Sequence, residues 1–270
     1  MDFVRVSDDL VIRYQRAGQG KQVVLLVPGW TMTSDIFEKQ LSHFQDSADC
    51  TVFAIDPRSH GHSTYTCEGN FYEQHGRDLN AFICALDLKD VIIGGWSNGG
   101  FAMLSYVHQF GHQKLKGLVM IDAAPAGTGD DVSREWAWFQ RDDANGFRKF
   151  FTQGALTDRA GMTMEFAAFM IENITPEYLD WITRITLQTA DGVAAVLNES
   201  SAYQNYCEVL AALEGRVRLL YFVNADWAEI VGTWAKVNTP SAKVVAFGKH
   251  LAFWEHPDQF NSALSDMLQS

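Results

Sequence analysis

The stretch that decides the fold is DVIIGGWSNGGFAMLSYVHQF, residues 90–110. Its first part, DVIIGG, is a short apolar run typical of a buried strand, and GGFAMLSYVHQF (99–110) is typical of a helix. Between them, Gly95-Trp96-Ser97-Asn98-Gly99 matches the pattern G-x-S-x-G. A tight strand-to-helix turn with flanking glycines holds such a serine in strained geometry, where its hydroxyl is accessible. We therefore predict that Ser97 is a catalytic nucleophile.

Strands and helices alternate on both sides of this stretch. Strands are predicted over 3–6, 10–18, 23–29, 50–57, 90–95, 117–125, 217–223 and 242–248. Helices are predicted over 34–44, 71–86, 99–110, 227–237 and 257–269. Such alternation indicates parallel strands joined by right-handed crossovers. We predict an α/β fold with a mostly parallel, doubly wound sheet of about eight strands.

The alternation stops between residues 127 and 213. This part contains no convincing strand and five helical segments: SREWAWFQRD, NGFRKFFTQ, GMTMEFAAFMIEN, PEYLDWITRITLQT and YCEVLAAL. We predict an α/β core over 1–126 and 214–270, with 127–213 as an inserted helical cap. Aromatic side chains of the cap are expected to pack its own core and to cover an apolar pocket: Trp136, Trp138, Phe139, Phe147, Phe150, Phe151, Phe166 and Phe169.

A serine hydroxyl needs a base to take its proton, and enzymes with this type of turn order their residues as serine, acid, histidine. His250 comes directly after the last predicted strand, AKVVAFG, and is the predicted base. His256, at the start of the final helix, is expected to be structural. His60 and His62, on the loop after CTVFAIDP, are expected to stabilise a turn.

Two aspartates are candidates for the acid that orients the imidazole. Asp226 follows the strand VRLLYFV, which is the usual region, but its loop is short and Asp226 forms a D-x-x-E capping box with Glu229. Asp122 ends the buried run GLVMI beside the nucleophile strand and has no such structural explanation. We favour Asp122 and keep Asp226 as the alternative.

Donors for a developing oxyanion are expected from two backbone N–H groups. One belongs to Asn98, directly after the nucleophile, and the other to Trp30, on the loop after VVLLVPG. The side chains of Trp30 and Trp96 are expected to line the substrate pocket.

Composition limits the partners. The formal net charge is −12 and the pI is about 5.0, which disfavours nucleic acid and anionic membranes. The four cysteines form no CxxC pair, so neither a zinc site nor a disulfide framework is expected. No metal or cofactor motif occurs, and neither a signal peptide nor a membrane span is apparent. A cytoplasmic enzyme acting on a small molecule, without a cofactor, is expected.

The chain resembles the α/β-hydrolase fold superfamily over nearly its whole length. The resemblance is carried by Pro28-Gly29-Trp30, by DPRSHGHS (56–63), by the turn at Ser97 and by Gly248-Lys249-His250 followed by FWEHPDQF. It implies a serine hydrolase that cleaves an ester, a lactone or another activated carbonyl of a small apolar or aromatic substrate through an acyl-enzyme. Esterases and lactonases are typical members, whereas the dehalogenases and epoxide hydrolases of this fold use aspartate nucleophiles.

Two departures from the usual pattern of this superfamily support alternative functions. Pro28 stands where histidine usually precedes the oxyanion glycine, and the loop after VRLLYFV is short. Both features resemble the cofactor-independent dioxygenases of this fold, which cleave N-heteroaromatic rings and carry their acid after the strand that corresponds to GLVMI. In that reading His250 would deprotonate a hydroxy-heteroaromatic substrate and Ser97 would orient it. A relative that binds a ligand without turnover is a further alternative.

Overall fold

The computed structural model describes residues 2–141 and 144–269, without the side chains of residues 144, 145, 147 and 148. Eight strands form one sheet: β1 (Asp2–Arg5), β2 (Val11–Gly18), β3 (Gln22–Val27), β4 (Cys50–Ile55), β5 (Val91–Trp96), β6 (Leu115–Ile121), β9 (Arg218–Val223) and β10 (Lys243–Ala246). Their spatial order is β1-β2-β4-β3-β5-β6-β9-β10. From β4 to β10 in this order, neighbouring strands are parallel, and β2 is antiparallel to both of its neighbours. The predicted α/β fold of about eight strands is confirmed.

Helices cover both faces of the sheet. They are α1 (Glu38–His43), preceded by a 3₁₀ turn at Ser34–Phe37, α2 (Tyr72–Ala85), α3 (Gly99–Phe110), α9 (Ala228–Asn238), α10 (Ala252–Glu255) and α11 (Pro257–Gln269). Apolar side chains of α2, α3 and α9 join one buried cluster, and those of α1 and α11 join a second. Strands covered on both faces are apolar along their whole length, which explains why β4 and β5 are buried at every position.

The β6–β9 connection, residues 122–217, differs in part from the prediction. It contains α4 (Ala144–Thr157), α5 (Arg159–Met170), α6 (Pro176–Thr186), α7 (Asp191–Ser201) and α8 (Cys207–Ala211). It also contains two short strands, β7 (Ala126–Gly129) and β8 (Ala137–Gln140), which pair in parallel. The expectation of a strand-free segment is therefore wrong, and SREWAWFQRD is not helical over its described residues. Helix α7 was not predicted.

The connection is tied to the sheet's carboxyl edge by hydrogen bonds. The Thr31 and Thr186 hydroxyls lie 2.6 Å apart, and the Thr189 hydroxyl donates to the Thr31 carbonyl. The Leu251 N–H donates to the carbonyl of Met170 at the end of α5. The chain after β10 is thus docked on α5. In the described residues, no helix combines the length and apolarity that crossing a bilayer requires.

Candidate active site

Four polar residues meet at the carboxyl edge of the sheet, each directly after a strand or within a few residues of its end. Ser97 follows β5, Asp122 follows β6, Asn224 follows β9, and His250 lies four residues beyond β10. These strands are consecutive neighbours in the sheet. Ligands of open α/β sheets bind at this edge, so the topology alone brings the four side chains to the usual location of a site.

Ser97 occupies the strained turn that its motif predicts. Its φ is +52°, a left-handed conformation that non-glycine residues rarely adopt, and its N–H donates to the Ile121 carbonyl. A side chain at Gly99 would approach the Val27 and Pro28 carbonyl oxygens to 2.5 Å, so the turn requires glycine there. The Ser97 hydroxyl lines a cavity. It forms no hydrogen bond to His250 or to any other residue that the structure describes.

His250 is held at its ring and at its backbone. Its Nδ1 lies 2.5 Å from Oδ2 of Asp122, and their side chains are 12% and 3% exposed, respectively. The indole N–H of Trp96 donates to the His250 carbonyl at 3.0 Å, and the two rings lie 5.1 Å apart. Because Nδ1 faces the carboxylate, Nε2 is the nitrogen available to the cavity that Ser97 also lines.

Of the two candidate acids, Asp122 is the one next to the imidazole. Asp226 is exposed on a 3₁₀ turn at Ala225–Trp227 and forms no hydrogen bond with His250 in the described chain. Its capping-box explanation is wrong, because α9 begins at Ala228 after Trp227 and has no side-chain cap. Asp226 lies instead in the wall of the cavity.

Sequence reasoning missed Asn224. Its backbone N–H and its side-chain amide both donate to the Asp122 carboxylate. The signal that could have found it is its position directly after β9, the same position that Ser97 and Asp122 take after their own strands.

Two backbone N–H groups near Ser97 have no partner among the described residues. Those of Trp30 and Asn98 donate to no other residue in the described part of the chain, which leaves them available to a ligand, and both residues line the cavity. The Trp30 indole N–H donates to the Ala194 carbonyl at 2.7 Å. Its ring meets that of Phe151 edge-on at 5.2 Å. The Trp30 side chain is therefore fixed by the β6–β9 connection.

The cavity above Ser97 and His250 has a volume of about 520 Å³, within the usual range of small-molecule sites. Trp30 and Trp96 line it. Most of its apolar wall comes from the β6–β9 connection and consists of Trp138, Phe139, Phe151, Met162, Phe166, Phe169 and Met170. No group of three histidine, cysteine or carboxylate side chains within the described residues is arranged to hold a metal ion.

Two of the predicted lid aromatics lie elsewhere. Trp136 is buried against Tyr221 and Trp234 in the main core. Phe150 is partly exposed on the outer surface of α4. The side chain of Phe147 lies outside the described residues.

The loop DPRSHGHS (56–63) is held in place by hydrogen bonds of its buried side chains. The buried Asp56 carboxylate accepts hydrogen bonds from the N–H and hydroxyl of Ser34 and from the His62 N–H. His60 is 1% exposed, and its Nδ1–H donates to the Arg58 carbonyl. Burial lowers the pKa of His60 from 6.5 to about 4, so its imidazole is neutral at pH 7. These contacts agree with the expected turn-stabilising role of His60, whereas the His62 side chain is exposed.

The ring of His256 contacts Glu172 at 3.1 Å, away from the cavity.

Comparison with known proteins defines the class. Residues 22–206 match the family model described as alpha/beta hydrolase fold, and the chain belongs to this family of enzymes. It is 34% identical over 125 residues to a non-heme chloroperoxidase, CPO-A1, of Kitasatospora aureofaciens, a match that covers 46% of this chain and 45% of the relative. It is 34% identical over 109 residues to the serine hydrolase BPHL of Homo sapiens, covering 36% and 37%. The matches thus span less than half the length of these relatives.

A solved structure agrees over the whole chain. An esterase from Exiguobacterium antarcticum superimposes with a TM-score of 0.87, at 20% sequence identity, and 99% of each chain is covered. At this identity the agreement concerns the fold.

Proposed function

We propose that the protein is a serine hydrolase that cleaves an ester, a lactone or another activated carbonyl of a small apolar or aromatic substrate. The observation that carries the proposal is the hydrogen bond between His250 and Asp122 in a cavity shared with Ser97. A relative named as a serine hydrolase and a structural neighbour named as an esterase support the same chemistry.

In the first half of the reaction, Ser97 Oγ attacks the substrate carbonyl carbon while His250 Nε2 takes its proton. Asp122 accepts from Nδ1–H, which fixes the tautomer and stabilises the imidazolium. The N–H groups of Trp30 and Asn98 donate to the developing oxyanion. Collapse of the tetrahedral intermediate expels the alcohol, which leaves with the proton that His250 returns to it.

In the second half, water enters the cavity and His250 takes a proton from it. The hydroxide attacks the acyl-enzyme carbonyl, and the second tetrahedral intermediate collapses with return of the proton to Ser97 Oγ. The acid product then leaves. His250 acts as base and then as acid in each half, so no net proton is consumed by the protein.

Residues 127–213 form the proposed cap, and they determine the substrate class. The cap supplies aromatic and methionine side chains to the cavity wall. Apolar walls favour apolar or aromatic substrates, because burial of such groups is favourable by about 25 cal/mol per Å² of surface.

The test is hydrolysis of p-nitrophenyl butyrate by wild-type protein and by Ser97→Ala. We expect the rate constant kcat to fall by about 10⁴-fold or more, since the nucleophile is lost. Ser133→Ala, which changes an exposed serine, is the matched control and should keep full activity. A fluorophosphonate probe should label wild type and Ser133→Ala but not Ser97→Ala. Full activity in Ser97→Ala would exclude this mechanism.

A second candidate is cofactor-independent dioxygenation of a hydroxy-N-heteroaromatic compound. The observation that favours it is the position of the acid after β6, at Asp122, instead of after β9. His250 would deprotonate the substrate hydroxyl, and the resulting anion would supply the electrons that reduce dioxygen. Oxygen uptake with a hydroxyquinolone in metal-free buffer, retained in Ser97→Ala and lost in His250→Ala, would support this reaction over ester hydrolysis.

A further inference from the structure

The carboxylate of Asp122 is surrounded by donors. Oδ1 accepts from the Asn224 backbone N–H at 2.7 Å and from its side-chain Nδ2 at 2.9 Å. Oδ2 lies 2.5 Å from His250 Nδ1 and 3.2 Å from the same Nδ2. One residue therefore contacts both oxygens of the carboxylate that orients the imidazole.

The Asn224 amide makes a third contact, through its oxygen. Its Oδ1 accepts from the Trp227 backbone N–H at 3.1 Å and caps the 3₁₀ turn that follows β9. The Trp227 N–H also donates to the Asn224 backbone carbonyl at 3.2 Å. Because a carboxylate only accepts, the NH₂ group must face Asp122, and the amide oxygen therefore faces Trp227. The Asn224 side chain thus presents donors alone to the carboxylate.

Asp122 depends on such support. Its φ is +39°, which is strained for a residue with a side chain, and its own N–H donates to the Phe222 carbonyl of β9. Its side chain is 3% exposed, and a buried carboxylate is stable when donors replace the lost solvent. Both anchors of Asp122, Phe222 and Asn224, come from the end of β9.

We propose that Asn224 is a positioning residue of the active site. Its amide directs two hydrogen bonds to Asp122, so that Oδ2 is the oxygen presented to His250. The turn after β9 then contributes to catalysis through an amide that holds the acid, while β6 carries the acid itself. This assignment rests on the proposed function, because it takes Asp122 as the acid that orients His250.

Two substitutions separate positioning from capping. Asn224→Ala removes both the donors and the cap. Asn224→Ser keeps a side-chain oxygen that can cap the Trp227 N–H but lacks the two amide donors. The backbone N–H of residue 224 still donates in both variants. Asn173→Ser, which makes the same change at an exposed position outside the cavity wall, is the matched control.

We expect Asn224→Ser, which keeps the cap, to have a melting temperature between those of wild type and Asn224→Ala. Its kcat should fall by about 10- to 100-fold, the usual cost of removing a group that orients a functional side chain. Asn224→Ala should lose both stability and activity. The acid limb of the kcat/KM profile should move to higher pH in Asn224→Ser, because a carboxylate with fewer donors attracts the imidazolium more strongly. The other charged groups in this wall among the described residues, Asp226 and Lys249, are unchanged in the variant.

A spectroscopic readout makes the two proposals separable. The proton on His250 Nδ1 should give a far-downfield proton NMR signal that Asp122→Asn removes and Asn224→Ser shifts. If wild type lacks hydrolase activity but the signal shifts, the proposed function fails and the role of Asn224 stands. If wild type hydrolyses esters while Asn224→Ser matches it in kcat, acid limb and signal, Asn224 is a turn cap alone and the inference is overturned.

Discussion

The carboxyl edge of the sheet and the β6–β9 connection face the same cavity with different chemistry. The edge presents polar groups that are fixed by hydrogen bonds and by strained backbone at Ser97 and Asp122. The connection presents mainly apolar rings, such as Phe151 and Phe166, which contact each other at 4.8 Å. Reactive groups need accurate placement, which strand ends provide, whereas an apolar wall needs volume and shape.

The two regions meet at His250. Its ring is bonded to Asp122 on the sheet side, and Trp138 of β8 meets it edge-on at 5.6 Å. The side chain of the preceding residue, Lys249, donates to the carbonyls of Ala168 and Ile171 at the end of α5. The histidine is therefore held by both regions, and substitutions on each side should have distinct effects.

The largest expected effect tests the sheet edge. Asp122→Asn should lower kcat for ester hydrolysis by ~10⁴-fold, because an amide at this position favours the wrong imidazole tautomer and cannot stabilise the imidazolium. The matched change Asp226→Asn should alter kcat by less than about twofold, since an exposed group without contact to the imidazole contributes little. The measurement is kcat at saturating p-nitrophenyl butyrate for both variants. A larger loss in Asp226→Asn than in Asp122→Asn would reverse the assignment of the acid.

The second largest effect tests the contact between the sheet edge and the β6–β9 connection. His60 forms an antiparallel β-bridge with Thr189 of the connection, and burial lowers its pKa from 6.5 to about 4. Between pH 4 and pH 6.5, the imidazole of residue 60 binds a proton in the unfolded chain but stays neutral in the folded chain. Stability contributed by the neutral imidazole is present above pH 6.5 and is lost as the pH falls toward 4, by about 2 kcal/mol at pH 4.5.

Urea unfolding at pH 7 and at pH 4.5 measures this loss. His60→Asn keeps a donor for the Arg58 carbonyl and has no proton to gain, so its loss on acidification should be about 2 kcal/mol smaller than that of wild type. His62→Asn, at the exposed neighbouring histidine, should lose as much stability as wild type. Equal acid sensitivity in wild type and His60→Asn would contradict a depressed pKa at His60.

The sequence was informative where a local pattern determines the structure. The turn at Ser97 requires glycine at 95 and 99 and a strand before it, and all of these are visible in one short stretch. The alternation of apolar strands with amphipathic helices likewise determines the sheet, because each strand is long enough to be recognised. Asp122 could be favoured over Asp226, but the choice depended on a loop whose geometry the sequence does not specify.

The failures lie where tertiary contacts decide. Strand β8 has four residues, too few for an alternation of apolar and polar side chains to be recognised in the sequence. It forms because β7 pairs with it. Helix α7 has no side-chain cap and carries Asn198 and serines near its end, which are weak helix formers. It is stabilised by burial of Ala194 and Leu197. Asn224 was missed because its amide acts through Asp122, which is distant in sequence.

The smallest expected effect tests the apolar wall. Phe166 on α5 lines the cavity and its ring lies 6.3 Å from that of His250. Phe166→Ala should raise KM for an aromatic ester by about tenfold through lost apolar contact, while kcat changes less. Phe150→Ala is the matched control, since this neighbour packs on Phe151 at 5.0 Å but does not line the cavity. Comparing KM for p-nitrophenyl benzoate and p-nitrophenyl acetate separates the effect of the apolar wall from other effects. The KM of the acetate should hardly change in Phe166→Ala, because its small acyl group makes little contact with the wall. A fall in kcat with both esters at unchanged KM would instead mean that Phe166 acts on His250, and that the connection contributes to the chemistry as well as to the shape of the site.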